Sequence, residues 1–135
     1  MELDRSLFQL GVFANLVEEG SWVDAIIDQR KANQAGPPQP DLRRMLRPVG
    51  PVGVFGASNF PFAISVIGND VVSAWAAGCP VVVKGHPGHP GTCELLGRCV
   101  QDVIRSKNLP EGIFSLVQGT QTVSYTHLTL PTSSQ

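Results

Sequence analysis

A chain of 135 residues, 42% hydrophobic and 16% charged, is long enough for one domain with a real core. Its formal net charge of -1 removes the electrostatic case for nucleic acid or an anionic membrane as partner, and no segment approaches the run of about 18 uncharged apolar residues that spans a bilayer. Three cysteines, an odd number, argue against a disulfide framework, and the start MELDRS lacks the basic and apolar regions of a secretory signal, so a cytoplasmic α/β protein is expected.

In chain order, Asp4 or Ser6 is a candidate cap for a first helix in which Leu3, Leu7, Leu10, Ala14 and Val17 recur at spacings of three and four. Glu18-Glu19-Gly20 stops it. Trp22 to Arg30 reads as a short helix or an edge strand. Residues 31–40, KANQAGPPQP, form a loop on composition. Asp41 to Arg47 is basic and extended into Pro48. Arg43, Arg44 and Arg47 read as a solvated face or as partners of Asp28 and Asp41 rather than as an anion site. Residues 1–46 are thus an N-terminal helical segment with a proline-rich loop.

From Arg47 onward the pattern changes. Val52 to Phe55 is a short apolar strand closed by the turn Gly56-Ala57-Ser58-Asn59, and Phe60 to Gly78 predicts a buried helix. Val81-Val82-Val83 is a β-branched run of the kind found in buried parallel strands, and it ends on Lys84. A right-handed crossover of this length brings Asn59 and Lys84 to the carboxyl edge of one sheet, where open α/β sheets bind ligands. Gly85 to Gly91 is too rich in proline and glycine for helix. Thr92 is a candidate N-cap, followed by an amphipathic helix from Cys93 to Lys107 with Leu95, Leu96, Cys99, Val100, Val103 and Ile104 as its stripe. Ile113 to Val117 is a third strand. The order β-α-β-α-β over residues 47–121 is the mononucleotide-binding half of a doubly wound fold.

Several residues can carry chemistry. A carboxamide at Asn59 either donates to an oxygen that turns negative during attack on a carbonyl or is a turn asparagine. Lys84 either snorkels from a strand end or meets an anion. His86, His89 and Cys93 have the spacing His-x2-His-x3-Cys, but a closed zinc site needs four ligands, and Pro87 and Pro90 stiffen the loop against convergence. No metal site is expected. Cys79, Cys93 and Cys99 read as small buried residues.

The strings Val54-Phe-Gly-Ala-Ser-Asn-Phe-Pro61, Ala76-Ala-Gly-Cys-Pro-Val-Val-Val-Lys84 and Gly85-His-Pro-Gly-His-Pro-Gly-Thr92 resemble the aldehyde dehydrogenase superfamily. The branch resembled is that of NADP-using α-ketoglutaric semialdehyde (2,5-dioxopentanoate) dehydrogenases and related long-chain aldehyde dehydrogenases. The resemblance implies a Rossmann-like parallel-sheet cofactor domain, consistent with the missing G-x-G-x-x-G, since the family positions its cofactor differently. It also implies an NAD(P)-dependent oxidation of an aldehyde through a cysteine thioester, and a homo-oligomeric parent.

By the same resemblance, Asn59 supplies half of an oxyanion hole, Gly56, Ala57 and Ser58 line the nicotinamide side, and Lys84 bonds the adenosine ribose. NAD-preferring relatives carry a glutamate three residues after this lysine. Pro87 stands there instead, so a 2′-phosphate meets no like charge, and His86 with Lys84 can help neutralise it. NADP is the expected cofactor, with NAD possible. None of the cysteines matches the family's nucleophile, which lies further along its chain with the general-base glutamate. The 135 residues are therefore expected to be an inactive piece of the enzyme. The alternative is a stand-alone α/β nucleotide-binding or regulatory module. Residues 122–135 depart from the family pattern. Val123 to Thr132, VSYTHLTLPT, resembles a translated sequencing adapter, so this tail, with Tyr125 and His127, is expected to be non-native.

Overall fold

The computed structural model describes residues 1–30, 36–37 and 39–120, so the expected non-native tail lies outside the described residues. Three short strands, β3 (Val52–Phe55), β4 (Val81–Lys84) and β5 (Phe114–Val117), form a parallel sheet in the order β3-β4-β5. Register aligns Val52, Val81 and Phe114 at one end and Phe55, Lys84 and Val117 at the other. β-Branched side chains suit this pleated, two-sided burial. Val81, Val83 and Phe114 are buried in a core that continues through Val54, Val71 and Leu96. Trp75 packs edge-on against Phe114 and donates its indole N–H to the Ile113 carbonyl at 3.0 Å.

The expected helix over Phe60–Gly78 is shorter. Only Asn69–Ala76 is helical (α2); before it the chain makes a single α-turn, with Ile64 N–H donating to Phe60 O at 3.2 Å. The break falls at Gly68 and not at Pro61, which stands in the first turn, where its missing N–H costs nothing. Gly68 is extended at φ -76, ψ 179, and folds back so closely that an added Cβ would lie 2.6 Å from Ser65 N and 2.7 Å from Ala63 O. Beyond α2, Gly78 takes the left-handed φ of 77 that ends the helix.

The helix α3 (Pro90–Ser106) starts earlier than expected. His89, not Thr92, is its cap, and Pro90 occupies the first turn, where its missing N–H costs nothing. The buried face is Cys93, Leu96, Gly97 and Ile104, while Leu95, Cys99 and Val103 face outward. Gly97 decides this: it packs on β5 so tightly that a Cβ would stand 2.6 Å from Leu116 Cδ2. Cys99 is therefore exposed, against expectation.

The helix α1 (Glu2–Glu19) ends at Gly20, whose left-handed φ is 78. Neither expected cap serves. Asp4 holds the terminal ammonium, and Ser6 is fully buried within the helix, donating to Glu2 O at 3.3 Å. The half-buried side is Glu2, Gln9, Leu10 and Phe13, next to Ser6, whereas Leu3, Leu7, Ala14 and Val17 are exposed. Ser6 is the one buried residue of α1, and α1 packs on α2, so most of the predicted stripe faces outward. An apolar groove of about 630 Å³ remains between α1 and α3, lined among others by Leu7, Trp75, Cys99 and Val103.

Trp22–Arg30 resolves into a 3-10 turn (Ser21–Val23) and β1 (Ile26–Asp28), antiparallel to β2 (Leu42–Arg44). Arg43 pairs with Asp41 at 3.0 Å as expected, whereas Arg44 pairs with Asp24 at 3.6 Å and not with Asp28. Both pairs are exposed and contribute little to stability. Among the described residues no helix is long and apolar enough to cross a membrane.

Candidate functional site

The turn after β3 and the loop after β4 lie side by side because their strands are paired, Phe55 opposite Lys84. Gly56 N–H donates to Lys84 O at 3.0 Å, and Ala57 N–H donates to Ile64 O at 2.9 Å. A side chain at position 56 would put Cβ 2.9 Å from Ser65 Oγ and 3.4 Å from His86 N. Glycine is required there by close approach of the two segments. Ser58 and Asn59 follow, both exposed, and the Asn59 carboxamide has no hydrogen-bond partner among the described residues. Its N–H groups are free to donate to an incoming oxygen.

Lys84 is only 4% exposed, yet no carboxylate or side-chain hydrogen bond among the described residues engages its ammonium. A cation held in this way at a strand end is ready for a hydroxyl or an anion. His86 and exposed Pro87 follow directly. His86 Nδ1 accepts the Gly88 N–H at 3.0 Å, so in the neutral ring Nε2 carries the proton and is the donor. The structure thus gathers Gly56, Ala57, Ser58, Asn59, Lys84, His86 and Pro87 on two adjoining loops.

Sequence reasoning missed three participants. The Glu2 carboxylate accepts the backbone N–H groups of Phe62 and Ala63 at 2.8 and 2.9 Å, pinning the turn just past Asn59. His89 Nε2 bonds the Ala57 carbonyl at 2.8 Å, and His89 Nδ1 lies 3.2 Å from Cys93 Sγ. No signal local to Glu2 points sixty residues ahead. His89 and Cys93, four apart across a helix start, did carry a signal. In the sequence that spacing reads as metal ligation or, for Cys93, as a small buried residue. No group of three or more ligating side chains able to hold a metal occurs among the described residues.

A three-stranded parallel sheet in sequential order, with Lys84 at the carboxyl end of its middle strand, has the architecture of one half of a doubly wound α/β domain. The aldehyde dehydrogenase family model matches residues 12–132, and the chain belongs to that family. It is 47% identical over 118 residues to α-ketoglutaric semialdehyde dehydrogenase 2 of Azospirillum brasilense, covering 87% of this chain and 22% of that protein. It is 42% identical over 120 residues to α-ketoglutaric semialdehyde dehydrogenase of Acinetobacter baylyi, covering 89% of this chain and 23% of that protein. The chain therefore spans under a quarter of the length of these relatives. A glyceraldehyde-3-phosphate dehydrogenase of Methanocaldococcus jannaschii, complexed with NADP, shares the fold with a TM-score of 0.68 at 20% identity, over 97% of this chain and 26% of that one.

Proposed function

We propose that this chain is part of an NADP-dependent aldehyde dehydrogenase that oxidises a semialdehyde such as 2,5-dioxopentanoate to a carboxylate. One observation carries the reading: paired strands set Asn59, just past β3, and Lys84, the last residue of β4, at the carboxyl edge of one parallel sheet, with neither side chain hydrogen-bonded among the described residues. The substrate rests on the 47% and 42% identity to semialdehyde dehydrogenases.

The residues present fit a nicotinamide dinucleotide. Gly56 keeps the β3 turn free of a side chain, and Ala57 and Ser58 are small. Lys84 would hold the adenosine ribose, and His86 Nε2–H would donate to a 2′-phosphate. Pro87 places no carboxylate against that phosphate. NAD, which lacks it, is accepted less well. Bound NADP supplies the hydride acceptor.

Asn59 does the chain's own chemical work. As a cysteine thiolate adds to the aldehyde carbon, the carbonyl oxygen gains charge, and the Asn59 N–H stabilises it on the way to a thioester that water hydrolyses. Neither thiol of the core is that nucleophile, since Cys79 and Cys93 are buried, and Cys99 lines the apolar groove on α3. The nucleophile and base come from elsewhere in a longer, homo-oligomeric, cytoplasmic enzyme, and these 135 residues alone turn over no aldehyde. We further propose that residues 122–135 are non-native although the family match runs to residue 132, and long-read sequencing of the locus tests it.

The test is spectrophotometric. Full-length enzyme mixed with 2,5-dioxopentanoate and NADP should generate NADPH, with lower efficiency for NAD. Turnover by the 135-residue chain, or none by the full-length protein with any aldehyde, would contradict the proposal.

A further inference from the structure

A chain of polar groups runs under the Asn59 turn. His89 Nε2 is 2.8 Å from the Ala57 carbonyl oxygen, His89 Nδ1 is 3.2 Å from Cys93 Sγ, and Cys93 Sγ is 3.8 Å from Ser65 Oγ. Cys93 is 0% exposed and Ser65 1%. The chemistry of the ends orients the chain. A carbonyl only accepts, so Nε2 carries the ring proton. Neutral imidazole then offers Nδ1 as an acceptor, and the Cys93 thiol donates to it. The Ser65 hydroxyl is left to donate to the sulfur.

The geometry points to His89 as a positioning residue: held as the Nε2–H tautomer by the Cys93 thiol, it fixes the Ala57 carbonyl and thereby the turn that presents Asn59. The inference rests on the reading of Asn59 as the oxyanion donor. The Ala57 carbonyl belongs to the planar peptide that leads into Ser58, so bonding it sets that plane one residue ahead of Asn59. Gly56 and Ala57 are anchored through their N–H groups to Lys84 O and Ile64 O. His89 anchors the remaining side. Cys93 is one helical turn beyond His89, with Cys93 N–H donating to His89 O at 3.1 Å, so the cap and first turn of α3 carry both members. Burial of Cys93 and Ser65 keeps water from competing for the imidazole.

The test uses the full-length protein with ¹⁵N-labelled histidine. Long-range NMR correlations should show His89 neutral and protonated at Nε2; a neutral ring protonated at Nδ1 would overturn the proposal. This readout needs neither a variant nor activity. His89→Leu should lower kcat about tenfold through displacement of Asn59 while leaving the KM for NADP unchanged. His89→Gln, which keeps an N–H donor for Ala57, should restore most of the loss. Amide exchange across residues 56–60 should accelerate in the leucine variant and stay slow in the glutamine variant. Equal behaviour of the two variants in exchange would also overturn it. Absence of aldehyde oxidation in the wild type sinks the enzymatic reading, while the tautomer and exchange results still decide what His89 does.

Discussion

The carboxylate of Glu2 accepts the backbone N–H of Phe62 at 2.8 Å across sixty residues of chain. The same oxygen takes the N–H of Ala63 at 2.9 Å, so the first turn of α1 caps the α-turn that follows Asn59. A carboxylate at the N-terminal end of a helical turn meets orphan donors and the positive end of the peptide dipoles.

Removing it should be felt locally. Glu2→Ala leaves two part-buried donors unpaired, costing about 1–3 kcal/mol. Glu2→Gln keeps the accepting oxygen and should lose less. Urea unfolding gives the stability difference, and faster amide exchange at Phe62 and Ala63 in the alanine variant locates it.

The break at Gly68 is equally specific. An added Cβ would press on backbone atoms of Ser65, Ala63 and Ile64 at 2.6–2.8 Å, and backbone cannot swing aside as a side chain can. Gly68→Ala should destabilise by about 1–3 kcal/mol, and at the extended cap of α2 alanine's helix propensity gives nothing back. An unchanged denaturation midpoint would contradict the fold-back described for this segment.

These positions show what was legible. The strand–turn–strand grammar around Asn59 and Lys84 is local: apolar β-branched runs, a small-residue turn and a lone cation at a strand end suffice to place both. The helix over Phe60–Gly78 is shorter than its apolar content suggests because of Gly68, whose effect depends on a fold-back invisible in one dimension. The stripe of α1 faces mostly outward, and that of α3 is half buried: Leu96, Val100 and Ile104 pack on the core, while Leu95, Cys99 and Val103 face outward. On α3 the close approach of Gly97 to Leu116 sets which side meets β5, and a small residue gives no apolar signal in the sequence. Glu2 and His89 were missed as site residues because each acts through a backbone partner distant in sequence.

The proposed preference for NADP turns on Pro87. Pro87→Glu would set a carboxylate where the 2′-phosphate is proposed to lie. NADP affinity should fall on the order of tenfold while NAD binding holds or improves. Titration of both dinucleotides by calorimetry measures the two changes separately.

A pH effect is expected at the end of α1. Ser21 donates both its N–H and its hydroxyl to the Glu19 carboxylate, and these bonds, hydroxyl first, hold its pKa below the ordinary value of 4.5. A depressed folded pKa stabilises the folded state above the unfolded value, and that contribution is lost as pH falls through the folded pKa. Ser21→Ala should move the Glu19 titration upward in carboxyl ¹³C NMR.

The most direct measurement is the kcat of full-length Asn59→Ala for NADP-dependent oxidation of 2,5-dioxopentanoate. Loss of one oxyanion donor predicts a fall of roughly 10²–10³-fold with little change in the KM for NADP. A variant that turns over at the wild-type rate would contradict the assignment of this turn to catalysis.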